Sequence, residues 1–91
     1  MEIDFKDISD YNLIIDIREP FYFNRFNIKG SINIPKFILL QSPSTYLEYN
    51  KNYYILCSSG IKSYECVKIL NALGYHCYSI KGGINNIKNK M

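Results

Sequence analysis

Tryptophan is absent from the sequence, histidine occurs once (His76), and cysteine occurs only three times, at Cys57, Cys66 and Cys77. No two of these cysteines stand in C-x-x-C spacing and none sits in a cysteine–histidine cluster, so no structural zinc or other metal is expected. The odd count also argues against a secreted disulfide scaffold and for a reducing compartment, so the cytoplasm is the expected location. His76 lies nineteen positions from Cys57, after Gly74-Tyr75. There it reads as a solvent-facing turn residue, with no support for a protease-type Cys–His pair. No apolar run approaches membrane-spanning length. The opening Met1-Glu2-Ile3-Asp4-Phe5-Lys6-Asp7 is acidic, where a signal peptide would be basic and then apolar. Internal repeats, linkers and low-complexity segments are missing too.

The chain does have a core to bury. Of its 91 residues, 47% are hydrophobic and 15% aromatic, enough for one domain over residues 1–91 without disulfides or metal. By size scaling such a domain buries roughly 60–65% of the unfolded surface. Charge is unevenly spread: residues 1–20 carry six acids and two bases, and residues 21–91 carry nine bases and two acids, together giving +3. The basic part suggests an anionic small-molecule partner, although scattered solvated lysines would read the same way. The bases are too dispersed, and the aromatics too strand-like, for nucleic acid. The nine tyrosines read as packing residues.

One stretch organises the rest. Tyr53-Tyr54-Ile55-Leu56 reads as an apolar strand, Cys57-Ser58-Ser59-Gly60 as a tight loop, and Ile61-Lys62-Ser63 as the first turn of a helix. That helix places Cys66, Val67, Leu70 and Leu73 on one face, and Gly74 stops it. Cys57 therefore stands where a strand hands over to a helix, the place where α/β proteins bind ligands. A thiolate is the nucleophilic form of cysteine, and a helix N-terminus with a nearby cation favours it. Loop N–H groups can curl into a nest for an anion. Ser58, Ser59 and Ser63 add hydroxyls, Gly60 permits an unusual backbone turn, and Lys62 puts a cation at the rim. A buried structural cysteine in an ordinary strand-to-helix connection remains the alternative.

In chain order, Ile3–Ile8 is a candidate first strand, and Asn12-Leu13-Ile14-Ile15-Asp16-Ile17 a strand buried on both faces. Pro20 opens a short helix to about Phe26, with Phe23 and Phe26 inward. Ser31–Ile34 is a brief strand, Lys36–Leu40 a short helix, and Thr45–Tyr49 a helical turn. After the central unit come a last strand, His76–Ile80, and a helix from Ile84 to about Lys88 behind Gly82-Gly83. Strands alternating with helices predict an α/β fold with a mostly parallel sheet.

Two blocks then resemble the rhodanese-like domains in their small single-domain form. Ile15-Asp16-Ile17-Arg18-Glu19-Pro20 through Asn27-Ile28-Lys29-Gly30-Ser31-Ile32-Asn33-Ile34-Pro35 is similar to the family's "DxREPxEYxxGHIPGAxNIP" segment. Cys57-Ser58-Ser59-Gly60-Ile61-Lys62-Ser63 is similar to its "CxxGxRS" loop, and Gly82-Gly83-Ile84 to its "GGI" turn. The likeness spans about residues 12–87. It implies a five-stranded, mostly parallel sheet with helices on both faces, and a sulfurtransferase in which Cys57 carries sulfur as a persulfide. It further implies thiosulfate or another small anionic sulfur donor, and a thiol or cyanide acceptor, with a sulfur-relay protein as a candidate partner. No cofactor, nucleic acid or membrane is implied, and a monomer is expected. The loop from Ser58 through Ser59, Gly60 and Ile61 to Lys62 would cradle the anion, and Ser63 would hydrogen-bond the sulfur.

The departures from the family pattern are specific. Lys62 replaces the usual arginine, keeping the charge without the bidentate fork. Ser58 stands where many members have arginine, Asn27 replaces a structural histidine, and Ile87 a common tryptophan. Asp16 and Arg18 are read either as groups near the site or as an ion pair bracing the strand end. Cys66 and Cys77 read as core. A phosphatase or arsenate reductase on this fold would need arginine at the sixth position after the cysteine, where this chain has Ser63. A non-catalytic or redox-sensing module is the remaining alternative.

Overall fold

The structure, a computed structural model, describes residues 1–90. Its elements are β1 (Glu2–Ile3), β2 (Ile14–Asp16), α1 (Pro20–Arg25), β3 (Ile32–Asn33), α2 (Lys36–Gln41), α3 (Pro43–Tyr46), β4 (Asn52–Leu56), α4 (Ile61–Ala72), β5 (His76–Ile80) and α5 (Gly83–Lys90). The five strands form one sheet in the order β1-β5-β4-β2-β3, and all four pairings are parallel. An α/β sheet of this kind is covered on both faces, which is why its strands read as continuous apolar runs and not as alternating ones.

β4 shows how the two layers separate. Tyr53 and Ile55 point into a core built with Leu39, Cys66, Val67 and Leu70 of α2 and α4. Leu56, with half-buried Tyr54, faces the opposite core of Ile14, Ile28, Ile80, Ile84 and Ile87. Period-two alternation then assigns Cys57 to the α4 side, with Tyr53 and Ile55. Ile87, read as a packing residue, is buried in that second core.

Several boundaries differ from the expectations. The first strand stops at Ile3, because Phe5–Asp7 closes into a 3-10 turn. The Asp10 side chain accepts from the N–H of Asn12 and caps a second 3-10 turn, Tyr11–Leu13, so β2 begins only at Ile14. α3 starts at Pro43, whose fixed φ suits the first helical position, and not at Thr45. Leu73 is exposed: the buried stripe of α4 runs Ser63, Cys66, Val67, Leu70, and Leu73 falls on its flank where the helix ends. Phe26 packs on the second core, and Phe23 is half-buried. His76 opens β5 instead of lying in a turn; it is exposed and pairs with Asn52 at the end of the sheet opposite Cys57. Gly74, at φ +101°, supplies the expected helix stop.

β2 leads outward to β3 and β4 leads the other way to β5, so the chain diverges between two adjacent strands. A crevice outside the carboxyl ends of such a pair is where open α/β sheets bind ligands. The two strand ends are level: Asp16 pairs with Leu56, and the N–H of Ile17 donates to the Leu56 carbonyl at 2.9 Å.

A buried ion pair braces this edge. Arg18 Nε donates to Asp16 Oδ1 at 3.0 Å and Nη2 to Oδ2 at 2.8 Å, with Asp16 wholly buried. The same Nη2 reaches the Phe26 carbonyl at 2.6 Å, and the Arg18 N–H donates to Asp16 Oδ1. The pair thus ties the end of β2 to the end of α1. Asn27 caps that helix by donating from Nδ2 to the Phe23 carbonyl. Removing one member of a buried pair strands the other without a counter-charge. Asp16→Ala is therefore expected to cost about 3–5 kcal/mol of stability in urea unfolding. A loss below 1 kcal/mol, about that of an exposed pair, would show the brace to be dispensable.

Candidate functional site

Cys57 follows the central strand directly, and the chain needs only three more residues to reach α4. Gly60 makes so short a connection possible. Its φ of +95° is a conformation side chains resist, and a Cβ there would lie 3.1 Å from the Gly82 nitrogen. The turn brings two backbone donors onto one sulfur: the N–H of Gly60 lies 3.1 Å and that of Ser63 3.3 Å from Cys57 Sγ. Two carbonyls at the start of the loop are also held. The Cys57 carbonyl accepts from Ile84 N–H at 2.8 Å and the Ser58 carbonyl from Asn85 N–H at 3.0 Å. These donors belong to the first turn of α5, whose N–H groups have no partner within their own helix. So close an approach requires glycine at 83, where φ is +61° and any Cβ would overlap the Cys57 and Ser58 carbonyls.

Behind the sulfur lies a buried hydroxyl pair. Ser63 Oγ is 3.3 Å from Cys57 Sγ, 3.2 Å from the Gly60 carbonyl and 2.7 Å from Ser79 Oγ. Both serines are fully buried. Each hydroxyl has one proton to give. If Ser79 gives its proton to Ser63 Oγ, the Ser63 proton is free to point at a negatively charged sulfur. Ser79 was missed in the sequence. Its one signal was position: it shares an inward face of β5 with Cys77, two residues earlier, and is polar where a core residue is expected.

In front of the sulfur a cavity of about 960 Å³ opens between the loop after β2 and the loop after β4. Ile17, Arg18 and Glu19 line it from one side, and Cys57, Ser58, Ser59, Ile61 and Lys62 from the other. The structure thus brings together Cys57, Ser58, Ser59, Ile61, Lys62 and Arg18 at one opening. Gly60 and Ser63 act from behind through their N–H groups, and Asp16 only through Arg18. Cys57 itself is 3% exposed, at the cavity floor. α1 and α2 supply further walls, Tyr22, Lys36 and Phe37, that no local motif in the sequence announced. Lys36 makes one loose ion pair, 3.6 Å to Glu65.

The other two cysteines differ in kind. Burial pushes the Cys66 thiol up to about 11 and the Cys77 thiol up to about 12, so both stay protonated and unreactive near neutrality. Among the described residues, no group of three or more His, Cys, Asp or Glu side chains is placed to hold a metal ion. No helix among them is long and apolar enough to cross a membrane.

A cysteine at a strand end with loop amides turned onto its sulfur, in a five-stranded parallel sheet, is the arrangement the sequence blocks implied. The sequence matches the family model of the Rhodanese-like domain over residues 4–90. The chain belongs to the rhodanese-like domain family. Solved structures agree. A rhodanese-related protein from Thermoplasma volcanium is 34% identical with a TM-score of 0.76, over 85% of this chain and 76% of that one. The reduced Bacillus anthracis CoADR-RHD is 30% identical with a TM-score of 0.78, over 91% of this chain but only 15% of that much longer one. A rhodanese with anions from E. coli is 27% identical with a TM-score of 0.70, over 80% of this chain and 87% of that one. No curated protein matches the sequence.

Within this rhodanese-like domain the buried serines offer a test of the cradle that needs no substrate. Ser79→Ala is expected to slow alkylation of Cys57 by iodoacetamide about two- to tenfold, the worth of one hydrogen bond of about 0.5–1.5 kcal/mol. Peptide mass mapping reads the rate at Cys57 alone, since Cys66 and Cys77 stay as buried thiols. An unchanged rate would leave Ser79 as packing.

Proposed function

We propose that this rhodanese-like domain is a sulfurtransferase that moves a sulfane sulfur from an anionic donor, such as thiosulfate, to a thiol or cyanide through a persulfide on Cys57. The observation that carries this reading is the pair of backbone N–H groups aimed at Cys57 Sγ on the floor of an open cavity. N–H donors fixed on a sulfur stabilise negative charge there without rearranging during reaction.

The chemistry runs as a two-step relay. The Cys57 thiolate attacks the outer sulfur of thiosulfate. A bond forms between Sγ and that sulfur, the bond to the sulfonate sulfur breaks, and its electron pair leaves with sulfite. The outer sulfur remains on Cys57 as a persulfide anion. Cyanide or a thiolate then attacks that sulfur, and the electron pair of the Sγ–S bond returns to Cys57. No electron leaves or enters the pair of reactants, so no redox cofactor is required. Lys62, at the cavity mouth, and the first-turn N–H groups of α4 attract the donor's oxyanion and the terminal sulfur. Ser63 follows the charge on Sγ by turning its hydroxyl.

The loop length weighs against the phosphatase and arsenate reductase readings. The cation sits five positions after Cys57, and the sixth is buried Ser63, bonded to the sulfur's own surroundings. As partners we propose a small sulfur donor and a thiol acceptor, or a sulfur-relay protein, met by a monomer in a reducing cytoplasm.

Incubation with thiosulfate is expected to add about 32 Da at Cys57, the mass of one sulfur atom held as a persulfide, which is a reversible cap on cysteine. Cys57→Ser is expected to remove both the adduct and the formation of thiocyanate while the circular dichroism spectrum stays native. A protein that gains no mass on Cys57 would belong with the non-catalytic or sensing members. Lys62→Ala is expected to lower kcat/KM for thiosulfate about ten- to a hundredfold, or about 1.4–3 kcal/mol of lost charge stabilisation. An unaltered constant would assign anion binding to the backbone alone.

A further inference from the structure

The cavity is far larger than the donor invoked above. A thiosulfate ion fills about the space of four or five waters, roughly 130 Å³, against the 960 Å³ of the cavity. Its upper walls are apolar and wet: Phe37 is 76% exposed, Ile61 67% and Tyr22 54%, and all three line this one opening together with Leu40. Large apolar side chains gathered around a concave opening mark a binding site, and this volume lies in the range that encloses an organic ligand. The lining carries Arg18, Lys36 and Lys62 against one carboxylate, Glu19; Arg18 is bound to Asp16 and Lys36 lies 3.6 Å from Glu65, so Lys62 is the cation of the lining with no ion pair among the described residues.

On the sulfurtransferase reading, we propose that the cavity takes an anionic organic thiol with an aromatic or branched apolar body. The thiol serves as acceptor and, as its persulfide, as donor. Three features select this occupant. The buried sulfur at the floor of a concavity admits a side-chain-sized body and not a flat protein face. Phe37, Ile61 and Tyr22 offer that body an apolar lining. Lys62, on the wall that the cysteine loop forms, matches an acid group on the ligand. The exchange balances without a further reagent. The Cys57 thiolate attacks the outer sulfur of R–S–SH, the Sγ–S bond forms, the donor's S–S bond breaks, and its electron pair leaves as R–S⁻ while the proton stays on the transferred sulfur. Read backwards, the same step unloads Cys57 onto the thiol.

Two acids with the same mercaptocarboxylate head separate the body from the head: 2-mercaptopropanoate and 2-mercapto-3-phenylpropanoate, which differ by one phenyl ring. With protein loaded by thiosulfate and freed of excess donor, the phenyl compound is expected to strip the added sulfur from Cys57 at least tenfold faster, followed by mass spectrometry. Calorimetric titration of Cys57→Ala with the same two thiols is expected to show the same order of affinity. The preference should collapse in the double variant Phe37→Ser/Ile61→Ser and persist in Ile69→Ser, an exposed apolar residue of α4 that does not line the cavity. Equal rates and affinities for the two thiols, or a preference indifferent to Phe37 and Ile61, would overturn the inference. So would a concentration-dependent dimer of the native chain that Phe37→Ser dissolves, because the apolar face would then belong to a second copy. If thiosulfate adds no mass to Cys57, the sulfurtransferase reading fails by itself, and the calorimetric comparison still decides what the cavity binds.

Discussion

The site depends on which way two peptide groups face. Between β4 and α4 the backbone could present either its carbonyls or its N–H groups to the Cys57 sulfur. The first turn of α5 anchors the start of this loop by taking the Cys57 and Ser58 carbonyls onto the N–H groups of Ile84 and Asn85. Farther along, the left-handed turn at Gly60 and the first turn of α4 bring the N–H groups of Gly60 and Ser63 round to the sulfur. Glycine at 60 and 83 is what lets the two segments approach so closely, since a methyl group at 83 would occupy the same space as two carbonyls. The donors to sulfur are thus held in place before any ligand arrives, which is the condition under which such donors stabilise charge most.

Topology supplies the opening and the charge. β2 and β4 lie side by side and lead in opposite directions, leaving a crevice above their carboxyl ends with the Asp16–Arg18 pair on one lip and the cysteine loop on the other. Arg18 serves both the fold and the cavity: its Nε and Nη2 are bound to Asp16 and to the Phe26 carbonyl, while the residue still lines the crevice. The two readings of Asp16 and Arg18 in the sequence therefore divide between the residues. Asp16 is wholly a brace, and Arg18 reaches the opening as well.

Much of this was legible in the residues. Strand, cysteine, glycine, cation and helix followed one another in the order the chemistry of a strand-end thiol requires, and the two blocks fixed the family. What stayed hidden has a common physical cause: it depends on partners distant in the chain. Ser79 carries only the faint signature of a polar residue on an inward strand face, and the pairing of β5 beside β4 and the packing of α4 across them are what put its hydroxyl 2.7 Å from that of Ser63. Phe37 reads as an ordinary hydrophobic residue of a short helix and Ile61 as part of the anion cradle, and only the assembled crevice shows that both side chains remain exposed around one opening. The shortened first strand and the early start of α3 are local effects, a 3-10 turn and a proline at a helix start. Leu73 was misplaced because a helical stripe drifts around the axis, and four inward residues already complete the contact of α4.

The dependence of the loop on α5 also orders events in time. The cysteine is at residue 57, but groups that hold its loop are at 83–85, beyond both α4 and β5. During synthesis the cysteine leaves the ribosome before they do, so the carbonyls of Cys57 and Ser58 meet these partners only once residues 84 and 85 have emerged. The last turns of the chain to be made thus close a loop laid down before the helix and strand that separate them.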